Sequence, residues 1–148
     1  MEKVIIFDSS KEHYIADACV VWCYDDRFYK LLKAFGKHEK FGHIDLVKIA
    51  GGAKALAAAD DGASSERDFV LDQIKKSAQL HGTKRVVLML HRDCGAYGGS
   101  KQFADAAAEK EYFMGQLRRA EEFVKKELPD MRVDSYFADF DGLETGTT

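Results

Sequence analysis

Two short stretches of the sequence carry side chains that could bind a metal ion. Cys23 ends the apolar run "ACVVWC", and His91 and Cys94 follow the apolar run "RVVLML" in "LHRDCGAYGG". Zinc binds thiolate sulfur and imidazole nitrogen in a tetrahedron, and a catalytic zinc has three protein ligands and one open position. Cys23, His91 and Cys94 are such a set, so they are predicted zinc ligands if the fold brings them together.

Acidic and basic side chains follow Cys23 directly, in "CYDDRF". Asp25 could accept a proton from water at the metal, or it could take the open coordination position itself. Arg27 could hold Asp25 by a bidentate pair. Aspartates at such turns also cap the following helix. We assign the cap to Asp26 and the functional role to Asp25.

The elements that must position these side chains are short apolar strands and amphipathic helices. Strands are predicted at "ACVVWC", "IDLVKIA", "RVVLML" and "RVDSYFA", because near-continuous apolar runs are typical of strands covered on both faces. Helical spacing predicts three helices between them: one from Phe28 that stops at Gly36, one from Ser65 to Gly82, and one that Pro129 halts. A further short strand is predicted at "KVIIF".

This alternation predicts an α/β fold: a three-layer open sheet, mostly parallel, with strand order 2-1-3-4 and helices on both faces. Strands one and three are then neighbours, and ligands bind at such a switch point, outside the carboxyl ends of the strands. Cys23 and His91 end these two strands, so the fold places them together. Cys19 lies deeper in strand one, and we predict that it belongs to the core.

The composition limits the classes of function. A chain of 148 residues predicts one domain, residues 1–148. A net charge of −3, with scattered lysines and arginines, offers no surface for nucleic acid. No apolar stretch approaches the ~20 residues that span a bilayer, and the first residues do not resemble a secretion signal. Three cysteines do not make a disulfide framework, so we expect a reduced, cytoplasmic protein.

The motifs "CYDDR", "KIAGG" and "HRDCG" together resemble those of the β-class carbonic anhydrases. That family carries C-x-D-x-R, a glycine turn after strand two, and H-x-x-C-G. The resemblance runs from Ala18 to Gly99 and is echoed by "FADFDGLETG". It implies zinc ligands at Cys23, His91 and Cys94 and an Asp–Arg dyad at Asp25 and Arg27.

The sequence also departs from the family. Asp26 stands where serine is usual, and Lys48 and Ile49 replace an Arg-Asn pair. Only about fifteen residues precede strand one, whereas family members commonly have N-terminal helices that wrap the partner subunit and complete the substrate pocket.

The resemblance implies a zinc lyase that reversibly hydrates carbon dioxide to bicarbonate through hydroxide formed at the metal. The same site suits carbonyl sulfide or carbon disulfide. A third possibility is a non-catalytic zinc protein in which Asp25 permanently occupies the fourth coordination position of the metal. The resemblance also implies a homodimer or higher homo-oligomer, for which "KVIIF" and "YFMGQL" are the candidate contact segments.

Overall fold

A five-stranded sheet forms the centre of the computed structural model, which describes residues 1–58 and 64–146. The strands are β1 (Ala18–Cys23), β2 (Ile44–Ile49), β3 (Arg85–His91), β4 (Arg132–Asp139) and β5 (Gly142–Thr145), in the order β2-β1-β3-β4-β5. The first four are parallel, and β5 is antiparallel to β4. The predicted order 2-1-3-4 is confirmed, and β5 extends it.

Helices cover both faces of the sheet, as predicted. They are α1 (Tyr29–His38), α2 (Ser65–His81) and α3 (Ala106–Glu127). Alternate residues of each strand point to opposite faces. Ala18, Val20 and Trp22 pack with Phe35 of α1, while Cys19, Val21 and Cys23 share the opposite core with residues of α2 and α3.

The helix ends differ slightly from the prediction. Gly36 lies inside α1, where the missing side chain leaves room for Ile44 of β2, and the chain turns instead at Lys40, whose φ is +58°. Ser64, not Ser65, caps α2, because its hydroxyl accepts a hydrogen bond from the Arg67 backbone N–H. Gly82 ends α2 in the left-handed conformation, as the pattern indicates.

The two candidate contact segments differ in structure, and the strand predicted at one of them is absent. "KVIIF" forms no strand, and Val4, Ile5, Ile6 and Phe7 are exposed, because no strand of the sheet lies beside them to supply hydrogen bonds. In "YFMGQL", Phe113 and Leu117 are fully buried on α3, while Tyr112 is 44% exposed, so the segment remains a candidate contact. None of the helices in the described ranges is both long and apolar enough to span a membrane.

The carboxyl ends of β1 and β3 separate from each other. Their pairing stops at Val21 and Leu88, while β3 stays paired with β4 as far as His91. Gly52, from the turn after β2, occupies the gap with a φ of +56°. A Cβ atom there would lie 2.6 Å from the Met89 carbonyl oxygen and 3.0 Å from the Cys23 nitrogen. The turn can therefore enter the gap only with glycine at this position.

Gly52→Ala should lower the free energy of unfolding by about 2–4 kcal/mol, because it combines a left-handed non-glycine residue with a backbone clash. Urea denaturation followed by circular dichroism measures this loss. The control is Gly142→Ala, where an added methyl group has no atom within 4 Å and should change stability by less than about 0.5 kcal/mol. Equal effects of the two substitutions would contradict the packing described here.

Candidate metal centre

Cys23, His91 and Cys94 converge at the gap between β1 and β3. Their ligand atoms all lie within 4.8 Å of one another, and all three residues are buried. Cys23 and His91 are the last residues of their strands, as predicted. Cys94 reaches the same point because the chain turns back at Asp93, whose φ is +56°. The structure thus brings together residues that lie 68 positions apart in sequence.

The His91 ring is oriented with one nitrogen toward the two sulfur atoms. Its Nδ1 lies 2.7 Å from the Arg92 carbonyl oxygen, and a carbonyl only accepts, so Nδ1 carries the proton. Nε2 then holds a lone pair, and it is buried without a hydrogen-bond partner among the described residues. Trp22 and Phe28 pack against the ring, with centroids 5.7 and 4.6 Å away. A buried, unpartnered imidazole nitrogen beside two thiols is what a metal ligand requires.

The Cys94 thiol donates a hydrogen bond to the Cys23 sulfur. This hydrogen bond from Cys94 lowers the pKa of Cys23 to about 4, assisted by the backbone N–H groups of Asp25 and Gly51. The same hydrogen bond, together with burial, raises the pKa of Cys94. A metal ion that binds both sulfur atoms displaces such a proton. The donor set therefore fits a metal that prefers sulfur and nitrogen.

Asp25 and Arg27 form a bidentate pair next to the three ligands. Arg27 Nε lies 3.0 Å from Asp25 Oδ1, and Nη2 lies 2.7 Å from Oδ2. This pair lowers the pKa of Asp25 to about 2. Oδ2 of Asp25 also lies 3.9 Å from His91 Nε2. The carboxylate thus faces the ligand cluster while Arg27 holds it.

Asp25, not Asp26, caps the short 3₁₀ helix that follows β1. Its Oδ1 accepts a hydrogen bond from the Arg27 backbone N–H at 3.0 Å. The prediction that Asp26 is the cap is wrong, because the helix already begins at Asp26 and the residue before it, Asp25, takes the cap position. Asp26 is exposed, and its carboxylate has no partner in the part of the chain that the structure describes. Asp25 therefore combines capping with the contact to Arg27.

Sequence reasoning missed the second partner of Arg27, which is Asp93. Arg27 Nη1 lies 2.9 Å from the Asp93 carboxylate, and Nη2 lies 3.0 Å from the Asp93 carbonyl oxygen. The backbone N–H of Ser100, followed by Arg27, lowers the pKa of Asp93. Its place inside "HRDC", between two predicted ligands, is the only sequence signal for this role.

A buried ionic network also supports the turn between His91 and Cys94. Arg92 forms a bidentate pair with Asp139, with both distances 2.7 Å, and donates to Glu109 Oε2 at 3.0 Å. Glu109, on α3, is 1% exposed and accepts from the Asp93 N–H at 2.7 Å and from the Ser100 hydroxyl. A buried carboxylate needs such partners, and here they fix the backbone that carries Cys94.

Cys19 and Lys48, which the sequence analysis singled out, do not belong to the ligand cluster. Cys19 is fully buried, and burial raises the pKa of its thiol to about 12, so its predicted place in the core is confirmed. Lys48, one of the departures from the family pattern, places its ammonium 5.6 Å from the centroid of the Tyr29 ring.

The site opens to solvent on the side of the dyad. An open depression of about 730 Å³ lies there, and its lining includes Asp25, Arg27, Asp93, Lys101 and the glycines at 95, 98 and 99. The depression reaches as far as Asp25, whose Oδ2 lies 3.9 Å from His91 Nε2.

Comparison with known families gives a match over most of the chain. Residues 15–143 match the model of a family described as "Putative carbonic anhydrase". Two uncharacterized rickettsial proteins are similar along 96% of the chain. The one from Rickettsia conorii is 28% identical, and the match spans 80% of its length; the one from Rickettsia bellii is 26% identical, and the match spans 90% of its length.

Solved structures share the fold at low sequence identity. A β-carbonic anhydrase from Trichomonas vaginalis superposes with a TM-score of 0.56 at 13% identity, covering 95% of this chain and 87% of that one. A carbonic anhydrase from Streptococcus mutans gives 0.51 at 19% identity, with coverages of 95% and 88%. A β-carbonic anhydrase from Sordaria macrospora, one of two described as tetrameric, gives 0.55 at 10% identity, with coverages of 92% and 83%.

Alanine at Cys23, His91 or Cys94 should each remove most of the zinc from the purified protein, because two protein ligands bind the ion far more weakly than three. Mass spectrometry of the metal content after dialysis measures this. Cys19→Ala is the control: it should keep about one zinc per chain and cost only ~1–3 kcal/mol of stability. Full zinc retention in any of the first three variants would remove that residue from the site.

Proposed function

Since the chain belongs to the putative carbonic anhydrase family, we propose that it is a zinc-dependent lyase of one domain, residues 1–148, that reversibly hydrates carbon dioxide to bicarbonate. The observation that carries this proposal is the convergence of Cys23, His91 and Cys94, whose ligand atoms lie within 4.8 Å of one another beside the Asp25–Arg27 pair. These three residues would hold the zinc ion. We also propose that the protein is cytoplasmic, as its free cysteines suggest.

Bound zinc would supply the Lewis acidity that makes water nucleophilic near neutral pH. The chain itself controls where the carboxylate of Asp25 stands. Arg27 holds both Asp25 oxygens, so the carboxylate is available to accept a hydrogen bond from water beside the ligand cluster. It orients that water toward a small neutral substrate.

The low pKa of Asp25 limits its role with protons. A carboxylate with a pKa of about 2 is too weak a base to keep a proton at neutral pH. Asp25 therefore acts as a hydrogen-bond acceptor that orients water, and the proton leaves to solvent through the open depression. Carbonyl sulfide and carbon disulfide would suit the same arrangement as alternative substrates.

We further propose that the protein works as a homodimer or a larger homo-oligomer. The depression beside Asp25 is open to solvent, and the apolar residues 4–7 are exposed to between 77% and 98%. Exposed apolar clusters of this kind commonly mark contacts with another chain. A second copy would cover these residues, and a β-carbonic anhydrase with this fold is described as tetrameric.

Asp25→Asn and Arg27→Ala should both keep about one zinc per chain and lose about 100-fold or more in the rate of CO₂ hydration. Asp25→Asn removes the negative charge that orients water and holds Arg27. Arg27→Ala frees Asp25 to approach the ligand cluster, 3.9 Å away at His91 Nε2. Stopped-flow measurement with a pH indicator gives the rates.

The matched controls are Asp26→Asn and Arg119→Ala, which remove the same charges from exposed side chains and should leave the rate within about twofold. Wild-type rates in both dyad variants would mean that the dyad is only a capped turn with a salt bridge. Zinc-loaded wild-type protein without CO₂ hydration would contradict the proposed function.

Light scattering on the purified protein should give a mass of at least two chains. Ile6→Lys should shift the equilibrium toward the monomer, because it places a charge in the exposed apolar segment. Leu80→Lys is the control, since Leu80 is also exposed, at 73%, and lies outside that segment. A monomeric wild-type protein at high concentration would contradict the oligomer, and equal effects of both variants would contradict the role of the N-terminal segment.

A further inference from the structure

We infer that Asp93 is a positioning residue for the proposed reaction: it fixes Arg27, so that Arg27 can keep Asp25 away from the metal. The inference rests on the proposed function above, and it adds a third member to the Asp25–Arg27 pair.

The guanidinium of Arg27 divides its donors between two edges. Nε and Nη2 bind the Asp25 carboxylate at 3.0 and 2.7 Å. On the other edge, Nη1 binds the Asp93 carboxylate at 2.9 Å, and Nη2 also binds the Asp93 carbonyl oxygen at 3.0 Å. Asp93 therefore does not compete with Asp25 for Arg27. It holds the part of Arg27 that Asp25 leaves free.

Asp93 is itself held by two other elements. Its backbone N–H donates to the buried Glu109 at 2.7 Å, and its Oδ1 accepts from the Ser100 N–H at 2.8 Å. Its backbone has a φ of +56°, a conformation in which aspartate and asparagine are tolerated better than most residues. Asp93 thus connects Arg27 to helix α3 and to the glycine-rich turn.

Without Asp93, Arg27 and Asp25 would be tied mainly to each other. They lie two residues apart on one short turn, and the Arg27 side chain is 47% exposed, so both could swing together. Asp25 Oδ2 is already 3.9 Å from His91 Nε2, and a small rotation would bring it to the ligand cluster. The contact with Asp93, 66 positions away, opposes that rotation.

Azide binding to the cobalt(II)-substituted protein, followed by visible absorption, tests this role without measuring turnover. Asp93→Asn keeps the left-handed backbone and an oxygen for the Ser100 N–H, but it loses the ion pair with Arg27. The matched control is Asp26→Asn, which removes the same charge from a carboxylate that has no partner in residues 1–58 and 64–146. Loss of negative charge alone should leave azide binding unchanged or strengthen it in both variants.

We expect Asp93→Asn to bind azide about fivefold more weakly than wild type, because Asp25 occupies the position that azide needs in more of the molecules. Asp25→Ala in the Asp93→Asn background should abolish that loss, since no carboxylate then closes the site. Asp93→Gly, which adopts the same backbone conformation freely, should reproduce the effect.

Three results would overturn the inference. One is equal azide affinity in Asp93→Asn and Asp26→Asn, and another is a loss that persists without Asp25. The third is failure of both Asp93 variants to hold cobalt, which would make Asp93 part of the fold of the metal centre. Wild-type protein that lacks CO₂ hydration but shows the expected azide pattern would contradict the proposed function alone.

Discussion

The separation of β1 and β3 at their carboxyl ends is the feature on which the site depends. Two adjacent parallel strands normally continue to share hydrogen bonds, but here the pairing stops at Val21 and Leu88. Gly52 fills the gap with bare backbone. Because the strands part there, Cys23 and His91 project into one space from opposite faces of the sheet, and Cys94 joins them from the turn.

Charged side chains hold Asp25 in position beside the three ligands. Glu109 holds the backbone of Asp93, Asp93 holds Arg27, and Arg27 holds Asp25. Each link is a charge-assisted hydrogen bond, which is stronger and shorter than a neutral one. The chain of contacts runs from helix α3 to the edge of the ligand cluster, so the position of Asp25 depends on residues from three separate parts of the sequence.

The fold and the three converging residues could be predicted because they follow from periodicity and topology. Apolar runs predict the strands and helical spacing predicts the helices between them. The alternation of strands and helices predicts the strand order, and the switch-point rule then places Cys23 beside His91. The contacts of Asp93 and Glu109 could not be predicted, because they depend on which side chains meet across 16 or 66 positions. The cap at Asp25 depends on a backbone angle that no local pattern specifies. Strand β5 was not predicted because it has only four residues, although the "DG" at its start is a turn signal.

X-ray absorption at the zinc edge tests the central claim most directly, because it counts the sulfur atoms bound to the metal. The account predicts two sulfur ligands at about 2.3 Å and two lighter ligands at about 2.0–2.1 Å in the zinc-loaded wild-type protein. The loss of one sulfur should follow in any Cys94→Ala protein that still holds zinc. A shell of nitrogen and oxygen only, or one with more than two sulfur atoms, would contradict the metal centre described here.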